Sequence, residues 1–463
     1  MPDFRALLAI VEKRGELCRI SRPVDARFEM PALMEQVEQQ RKVFLFENVR
    51  GSRFPVAGGI LNRIERYGWA LGSVPGEPFG PDDLDARIEA AKRVGVPPRE
   101  VASGPASEVV LSGDRINLGD LPVPTVFELD SGPFITAACG ITRHPRLGHL
   151  NIGVYRTLVL GRDTMAVSAS SLSDLRTFYQ HAEATGGTMP IALAIGVEPA
   201  LQIAAACKLP PDVSELDLAG ALLGRPIEVM KARTSDLLVP ANAEIIIEGR
   251  VHVARKVENI LGEFAGQYGL ETAPVTEVTA ITHRRGAMLY SILAGRNPEH
   301  NTLGSMATFD IRRALARALR SAIPAITDIG IHLEPRYGSM VHVVISIGKR
   351  TDAEPGQVID AALAADGGMF PVSFITKRII VVDDDVNVHD MADVEWAIWS
   401  RVADARKYRV LPDVPSWELE RCARPGHGSL RVAIDATMDL ADRDKLQRPV
   451  IPGAQRIKLA DYL

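Results

Sequence analysis

Cysteine is scarce. Four residues in 463 (Cys18, Cys139, Cys207 and Cys422) lie far apart and form no CxxC pair. That spacing excludes a disulfide framework and a thiolate zinc cluster. Aromatic residues are few, at 5%, so base-stacking platforms are not expected. Neither sign of charge dominates: 53 basic residues face 58 acidic ones, for a net charge of −5. A nucleic-acid partner would call for a basic surplus or stripe. No window reaches the ~20 unbroken apolar residues of a membrane span. The start, MPDFRALLAIVEKRGEL, reads as an amphipathic helix with acids at Asp3 and Glu12. A signal peptide would be a basic segment followed by an apolar core. Walker A, GxGxxG, GxSxG and HExxH patterns are missing, and the ten histidines form no ligand-spaced pair. The expectation that remains is a cytoplasmic, multidomain enzyme without nucleic-acid or membrane partners.

Hydrophobic residues make up 46% of the chain and charged residues 24%, the balance of a folded protein. At roughly 100–200 residues per domain, the length suggests two to four domains. FRALLAIVEK (4–13) has helical periodicity and stops at Gly15, and KVFLFENV (42–49) reads as a short apolar strand. A turn-rich stretch and the charged helix LDARIEAAKRVG then lead to Pro97-Pro98, so residues 1–105 read as an N-terminal α/β region. Over 106–295, runs such as FITAACGITRH, NIGVYRTLVLG, PIALAIGV and AEIIIEGRVHVAR are divided by turn residues. This is the pattern of a barrel or sandwich with inserted helices. Over 296–440, helices such as DIRRALARALRSA and PGQVIDAALAAD alternate with strands such as MVHVVISIGK and RIIVVDDDV, which predicts a C-terminal α/β domain. Residues 441–463 are polar and Pro-broken and read as a tail, docked or reaching to a partner subunit. The expected fold class is α+β.

Four places carry candidate chemistry. In NIGVYR (151–156), Arg156 ends an otherwise apolar β segment, and a buried guanidinium needs an anionic partner. A structural Arg–carboxylate pair is the commoner explanation for such a residue. In ENILGE (258–263), two glutamates five apart across a Gly-containing loop can converge for acid–base work, or can simply be solvated. Glu215 stands beside a helix start, where an acid serves as a dipole partner or, less often, a metal ligand. The strand-end aspartates Asp383, Asp384, Asp385 and Asp390 read first as turn and capping acids. On residues alone, the pattern describes an enzyme in which Arg156 and two or three glutamates share a cavity with an anionic substrate or cofactor.

Six segments in order resemble the UbiD family of reversible decarboxylases. They are residues 121–156, 209–224, 237–251, ENILGEFAGQYG (258–269), 376–401 and GHGSLRVAIDAT (426–437). The resemblance implies an N-terminal α/β region, a central split β-barrel of the flavin-reductase-like kind and a C-terminal α/β domain that helps form a homodimer or higher homo-oligomer. It implies prenylated FMN, supplied by a prenyltransferase partner, with Mn2+ and K+ at the cofactor phosphate. The cofactor would lie along Asn151, Ile152, Gly153, Val154, Tyr155 and Arg156, with Ser173, Asp174, Glu215 and Lys377. The metal set would be Asn151, Asp174 and Glu215, where Asp174 (or, two helical turns on, His181) stands for the family's histidine. Backbone carbonyls of Ala204 to Cys207 would suit K+. Arg156 would hold the substrate carboxylate, Glu258 would hold Arg156, and Glu263 would protonate the carbon that CO2 leaves.

Two departures bear on the substrate. Asn259-Ile260-Leu261 replace the usual Gly-Pro-aromatic between the glutamates, and Leu430-Arg431 follow Ser429 where many members have GSK. His300, in NPEHNTLGSMATF, and Arg336, in EPRYG, are polar groups that could read a second function on a ring. The expected substrate is therefore a small aromatic or heteroaromatic acid of the furan-2,5-dicarboxylate or pyrrole-2-carboxylate type. The alternative is a catalytically lapsed, flavin-binding relative.

Overall fold

Between residues 134 and 283, β-branched runs separated by Gly and Pro join a single antiparallel sheet in the computed structural model of the chain. The structure describes residues 2–462 apart from 172, 211–212, 264, 323–324, 333–339, 367–370, 425, 454–455 and 458–461. The strand order is Phe134–Ile135, Thr157–Val159, Thr164–Val167, Tyr268–His283, Ile245–Gly262, Thr188–Ile195, Cys139–Arg143 and Leu150–Val154. Val109–Leu111 adds beside the end of Tyr268–His283.

The connection between two of these strands dictates the shape of the sheet. Leu150–Val154 is one edge of the sheet, and Thr157–Val159 lies six strand steps away, next to the other edge. A flat sheet would separate them by about 29 Å, at roughly 4.8 Å per step. Only Tyr155 and Arg156 link them, and three Cα–Cα steps span at most about 11 Å. The sheet therefore has to curl, and it forms a half-barrel. The link is its seam.

The long hairpin Ile245–Gly262/Tyr268–His283 forms the middle of the sheet. Its register slips between His252 and Lys256, where Lys256 pairs with Pro274. Pro274 has no N–H to give the ladder, so a bulge is accommodated there. Beyond the slip, Asn259, Leu261 and Glu263 share a buried face with Gly269 and Ala273, and with the half-buried Glu271. Glu258, Ile260, Leu270 and Thr272 face out.

The N-terminal region packs on this sheet in one compact unit that runs to Phe309. The helix Phe4–Lys13 is capped by Asp3, whose carboxylate accepts from the Ala6 N–H at 2.8 Å. Its buried residues Phe4, Leu7, Leu8 and Val11 keep helical spacing. The expected strand in 42–49 forms over Val43–Phe46, within a small sheet ordered Leu17–Ile20, Val43–Phe46, Val56–Gly58, Leu289–Tyr290.

From Asp310 onward the chain forms a second unit. Its five-stranded sheet runs Ile326–His332, Val341–Ile347, Thr376–Asp383, Ser429–Ala436, Tyr408–Val414, with the three central strands parallel. Val343, Ile345 and Val381 pack into the hydrophobic cluster on one face, and Val344, Ile380 and Val382 into the cluster on the other. Burial on both faces is what a parallel sheet covered by helices requires. The strand-end acids are structural here: Asp383 and Asp385 both pair with the buried Arg401.

In the first unit, Glu244 is wholly buried. It accepts from Arg5 Nε and Nη2, each at 2.7 Å, from Arg284 Nη1 at 3.3 Å and from the Met288 N–H at 3.0 Å. Glu244→Ala leaves two guanidinium groups without their counter-charge. Because Arg5 is partly exposed, the loss expected in urea unfolding is about 2 kcal/mol, below the usual cost of breaking a buried pair. A loss under about 0.5 kcal/mol would show that the anchor is not needed.

Candidate active site

Arg156 occupies the seam because the link that carries it cannot go elsewhere. Its guanidinium donates from Nη1 to Glu263 Oε2 at 2.9 Å, its Nη2 lies 2.6 Å from Glu263 Oε1, and Nη2 also bonds Glu271 Oε1. Burial alone would favour the neutral form, but the two carboxylates outweigh it and raise the pKa above the ordinary arginine value.

Glu263 is buried and heads the tip of the hairpin, where its N–H donates to the Gln267 carbonyl at 2.8 Å. Gly269 makes room for its side chain: a Cβ there would sit 2.8 Å from Glu263 Oε1. Asp130 and Ser131 hold the adjoining strand, accepting from the Gly262 N–H at 2.9 Å and the Ile260 N–H at 2.8 Å.

Glu258 does not join this group. It is exposed and pairs across the hairpin with Thr272. Residues 258–262 are strand, not loop, and in a strand positions five apart point to opposite faces. Glu271, eight residues past Glu263 on the return strand, has the matching face and bonds Arg156, the contact expected of Glu258. Sequence reasoning missed Glu271, although the period-2 burial of the hairpin would have found it. Asn259, opposite Glu271, is buried, and neither polar atom of its amide has a hydrogen-bond partner among the described residues.

A second cluster lies on the same edge strand. Glu215, at the start of the helix Glu215–Leu223, accepts from the Ile152 N–H at 3.0 Å and from Asn151 Nδ2 at 3.4 Å. Burial pushes its pKa up to about 7; backbone N–H groups and Lys208 oppose the rise, and Asp174 adds to it. Asn151 Oδ1 is buried without a hydrogen-bond partner among the described residues. Asp174 is held by Lys208 Nζ at 2.9 and 3.0 Å. Among the described residues, no three His, Cys, Asp or Glu side chains group as a metal site. The amide oxygen and carboxylates of Asn151, Glu215 and Asp174 are nevertheless the hard donors a divalent cation takes.

The other expected residues fall as follows. Tyr155 is buried against Gly140 and Gly153, where a Cβ would come within 2.6 and 2.5 Å of it. Ser173 caps the helix Asp174–Thr185, accepting from the Arg176 N–H at 3.3 Å. Val154 and His300 line a cavity of about 110 Å³ together with Arg156. Burial, and then Arg156, lower the His300 pKa to about 4. Lys377 lies in the second unit, donating to Glu420 at 2.5 Å and Ser429 at 2.7 Å. Burial would raise Glu420, but Lys377, Ser416, Ser429 and Arg431 hold it at about 2. Arg336 lies outside the described residues.

Models of the N-terminal, Rift-related central and C-terminal domains of 3-octaprenyl-4-hydroxybenzoate carboxy-lyase match residues 8–80, 99–297 and 306–436. The chain belongs to the UbiD family. As a UbiD-class enzyme it is a carboxy-lyase of the prenylated-FMN decarboxylase family. It is 34% identical over 459 residues to an uncharacterized protein of Archaeoglobus fulgidus, covering 95% of this chain and 92% of that one. A Synechocystis protein, also uncharacterized, is 31% identical over 94% of this chain and 89% of its own length. Among solved structures, the UbiD-class enzyme HmfF of Pelotomaculum thermopropionicum in complex with FMN matches at 34% identity and TM-score 0.86, covering 99% of this chain and 100% of that one. An evolved dimeric HmfF in complex with prenylated FMN matches at 33% identity and TM-score 0.82, with 100% of both chains covered. At 23% identity, apo 3,4-dihydroxybenzoic acid decarboxylase of Klebsiella pneumoniae shares the fold, with TM-score 0.84 over 100% of this chain and 99% of that one.

The two candidate partners of Arg156 can be told apart by substitution. In the cofactor-loaded UbiD enzyme, Glu271→Gln is expected to slow CO2 release by roughly 10²-fold, while Glu258→Gln changes it less than about threefold. The reverse order would return the role to Glu258.

Proposed function

We propose that this UbiD enzyme reversibly decarboxylates a small aromatic or heteroaromatic acid, of the furan-2,5-dicarboxylate or pyrrole-2-carboxylate type, on prenylated FMN. The observation that carries this reading is the cavity beside Arg156. At about 110 Å³, with Val154, Ile292 and Leu303 as apolar walls, it suits one ring and has no room for a polyprenyl chain. Arg156, His300 and Thr136 put charged and polar side chains on its wall. When bound, prenylated FMN supplies the electron sink that lets CO2 leave an sp2 carbon.

The residues that would hold the cofactor and its ions are those of the edge-strand cluster. Asn151, Glu215 and Asp174 would take Mn2+, which satisfies the orphaned Asn151 oxygen and removes the charge cost of the buried Glu215. K+ would sit at the carbonyls of Ala204 to Cys207, where the helix Pro199–Ala206 ends. Ile152, Gly153, Tyr155 and Ser173 would line the cofactor.

Arg156 is already paired twice, so an incoming carboxylate would compete with its glutamates for the guanidinium. A carboxylate displaced beside an anion in a poorly hydrated cavity gains a proton. Glu263 would then be the acid that protonates the ring carbon, and Glu271 would keep Arg156 in position. The grouping of a carboxylate-binding Arg156 with the buried acid Glu263 supports this reading over a lapsed, flavin-binding relative.

The test is reconstitution with prenylated FMN and Mn2+, following CO2 loss and deuterium exchange at the product carbon across a panel of acids. Glu263→Gln is expected to keep cofactor absorbance and lose roughly 10²–10⁴-fold in turnover. Full activity in that variant would remove Glu263 as the donor, and no reaction across the panel would remove the decarboxylase reading of the substrate class.

His300 also predicts a pH response. Because burial and Arg156 lower its pKa to about 4, it is neutral above that pH and binds substrate by hydrogen bonding, not charge. The pH profile of kcat/KM is therefore expected to show no inflection from His300 between pH 5 and 8. An inflection in that range that disappears in His300→Asn would contradict it.

A further inference from the structure

His300 reaches the cavity from a short helix, Pro298–Gly304, whose N-cap Asn297 makes no side-chain capping bond. What holds this helix is the residue before His300. Glu299 is buried, and its carboxylate accepts from the Gly59 N–H at 2.6 Å, the Leu61 N–H at 2.6 Å and the Tyr290 hydroxyl at 2.8 Å. Its own N–H donates to Glu38 Oε2 at 2.9 Å. Glu299 thus makes four bonds, three to the N-terminal region and one to Tyr290, whose strand joins the N-terminal sheet, one residue away from a cavity-lining side chain.

The receiving loop is built for an anion. Gly59 has φ +72°, a left-handed conformation that aims two nearby N–H groups at one carboxylate, and a Cβ there would meet the Lys42 carbonyl at 3.0 Å. Arg66, also buried, fixes the loop from behind: its Nη1 donates to the Gly59 carbonyl at 2.9 Å and to Asn62 Oδ1 at 2.7 Å, and its Nη2 to the Arg41 carbonyl at 2.6 Å. Of the two buried acids, Glu38 takes the proton. Burial and the Glu299 charge push it well above the ordinary range, and its Oε1 has no partner among the described residues. Burial also pushes Glu299 up, to about 7, against the Leu61 N–H, the Tyr290 hydroxyl, the Gly59 N–H and Arg66, all of which favour its charged form. A buried carboxylate costs stability unless it is fully hydrogen-bonded, and three donors converge on this one.

We infer that Glu299 is a positioning residue for substrate recognition: through the 59–61 loop and Tyr290 it sets where the His300 imidazole stands in the cavity. The N-terminal region, which contributes no cavity-lining residue among the described residues, thereby shares in substrate choice. This inference rests on the proposed reading of His300 as the group that meets the second polar function of the acid.

The experiment uses the cofactor-loaded full-length enzyme with furan-2,5-dicarboxylate and 2-furoate, which differ only in that second function. Glu299→Gln is expected to raise KM for the diacid about tenfold and to change kcat, and KM for 2-furoate, less than twofold. In a His300→Asn background, Glu299→Gln should change the diacid KM less than twofold. Equal effects on both acids, or a tenfold effect in both backgrounds, would overturn the inference, because a purely structural role predicts those outcomes. If Glu299→Gln does not fold, Tyr290→Phe removes one donor; a KM rise for the diacid of about threefold, lost in the His300→Asn background, supports the inference, and no rise overturns it. If the wild type turns over neither acid, the substrate reading fails. The imidazole resonances of His300, assigned with His300→Asn, then still decide: shifted by Glu299→Gln or Tyr290→Phe they support the positioning role, and unmoved they overturn it.

Discussion

The structure of the first unit depends on a two-residue link. Tyr155 and Arg156 connect strands that lie six steps apart in sheet order, and the chain is too short to cross a flat sheet. The curl brings the seam residue Arg156 under cover, and a guanidinium under cover needs counter-charges. Glu263 and Glu271 meet that need from the distal half of the long hairpin. Fold closure and the candidate catalytic group are therefore one physical event.

The hairpin meets this demand through two local features. The register slip at Pro274 separates its distal half from the regular ladder, and strict alternation beyond it selects which acids turn inward. The tip is then tied down by Asp130 and Ser131, and Gly269 leaves space for the Glu263 carboxylate. A second set of oxygen donors lies close by: Asn151 on the edge strand, five residues before Arg156, and Glu215 at a helix start, bonded to that strand through Asn151 and Ile152. Short spacing along one strand thus couples the oxygen-donor cluster to the arginine, while the two glutamates approach across the sheet.

Much of this was legible in the residues. The helix at 4–13, the strand within 42–49 and the alternating helices and strands after 306 follow from periodicity and end signals. Arg156 stood out because an arginine in an apolar β segment has to find an anion. The acids that answer it were only half legible. Glu263 was expected, but Glu258 was chosen as its companion by treating 258–263 as a loop, and a loop imposes no face. Once the segment is strand, parity excludes Glu258 and admits Glu271. Lys377 was expected at a phosphate, whereas its bonds in the second unit are to Glu420 and Ser429.

The sequence by itself determined the family, the mixed α/β composition and the side chains capable of chemistry, because motif order, hydrophobic period and residue type are local properties. Only the tertiary structure decided which of those side chains meet. Sheet curl, hairpin register and strand parity act between residues far apart in the chain. They brought Glu271 to Arg156, turned Glu258 to solvent and set Glu299 against a loop some 240 positions earlier.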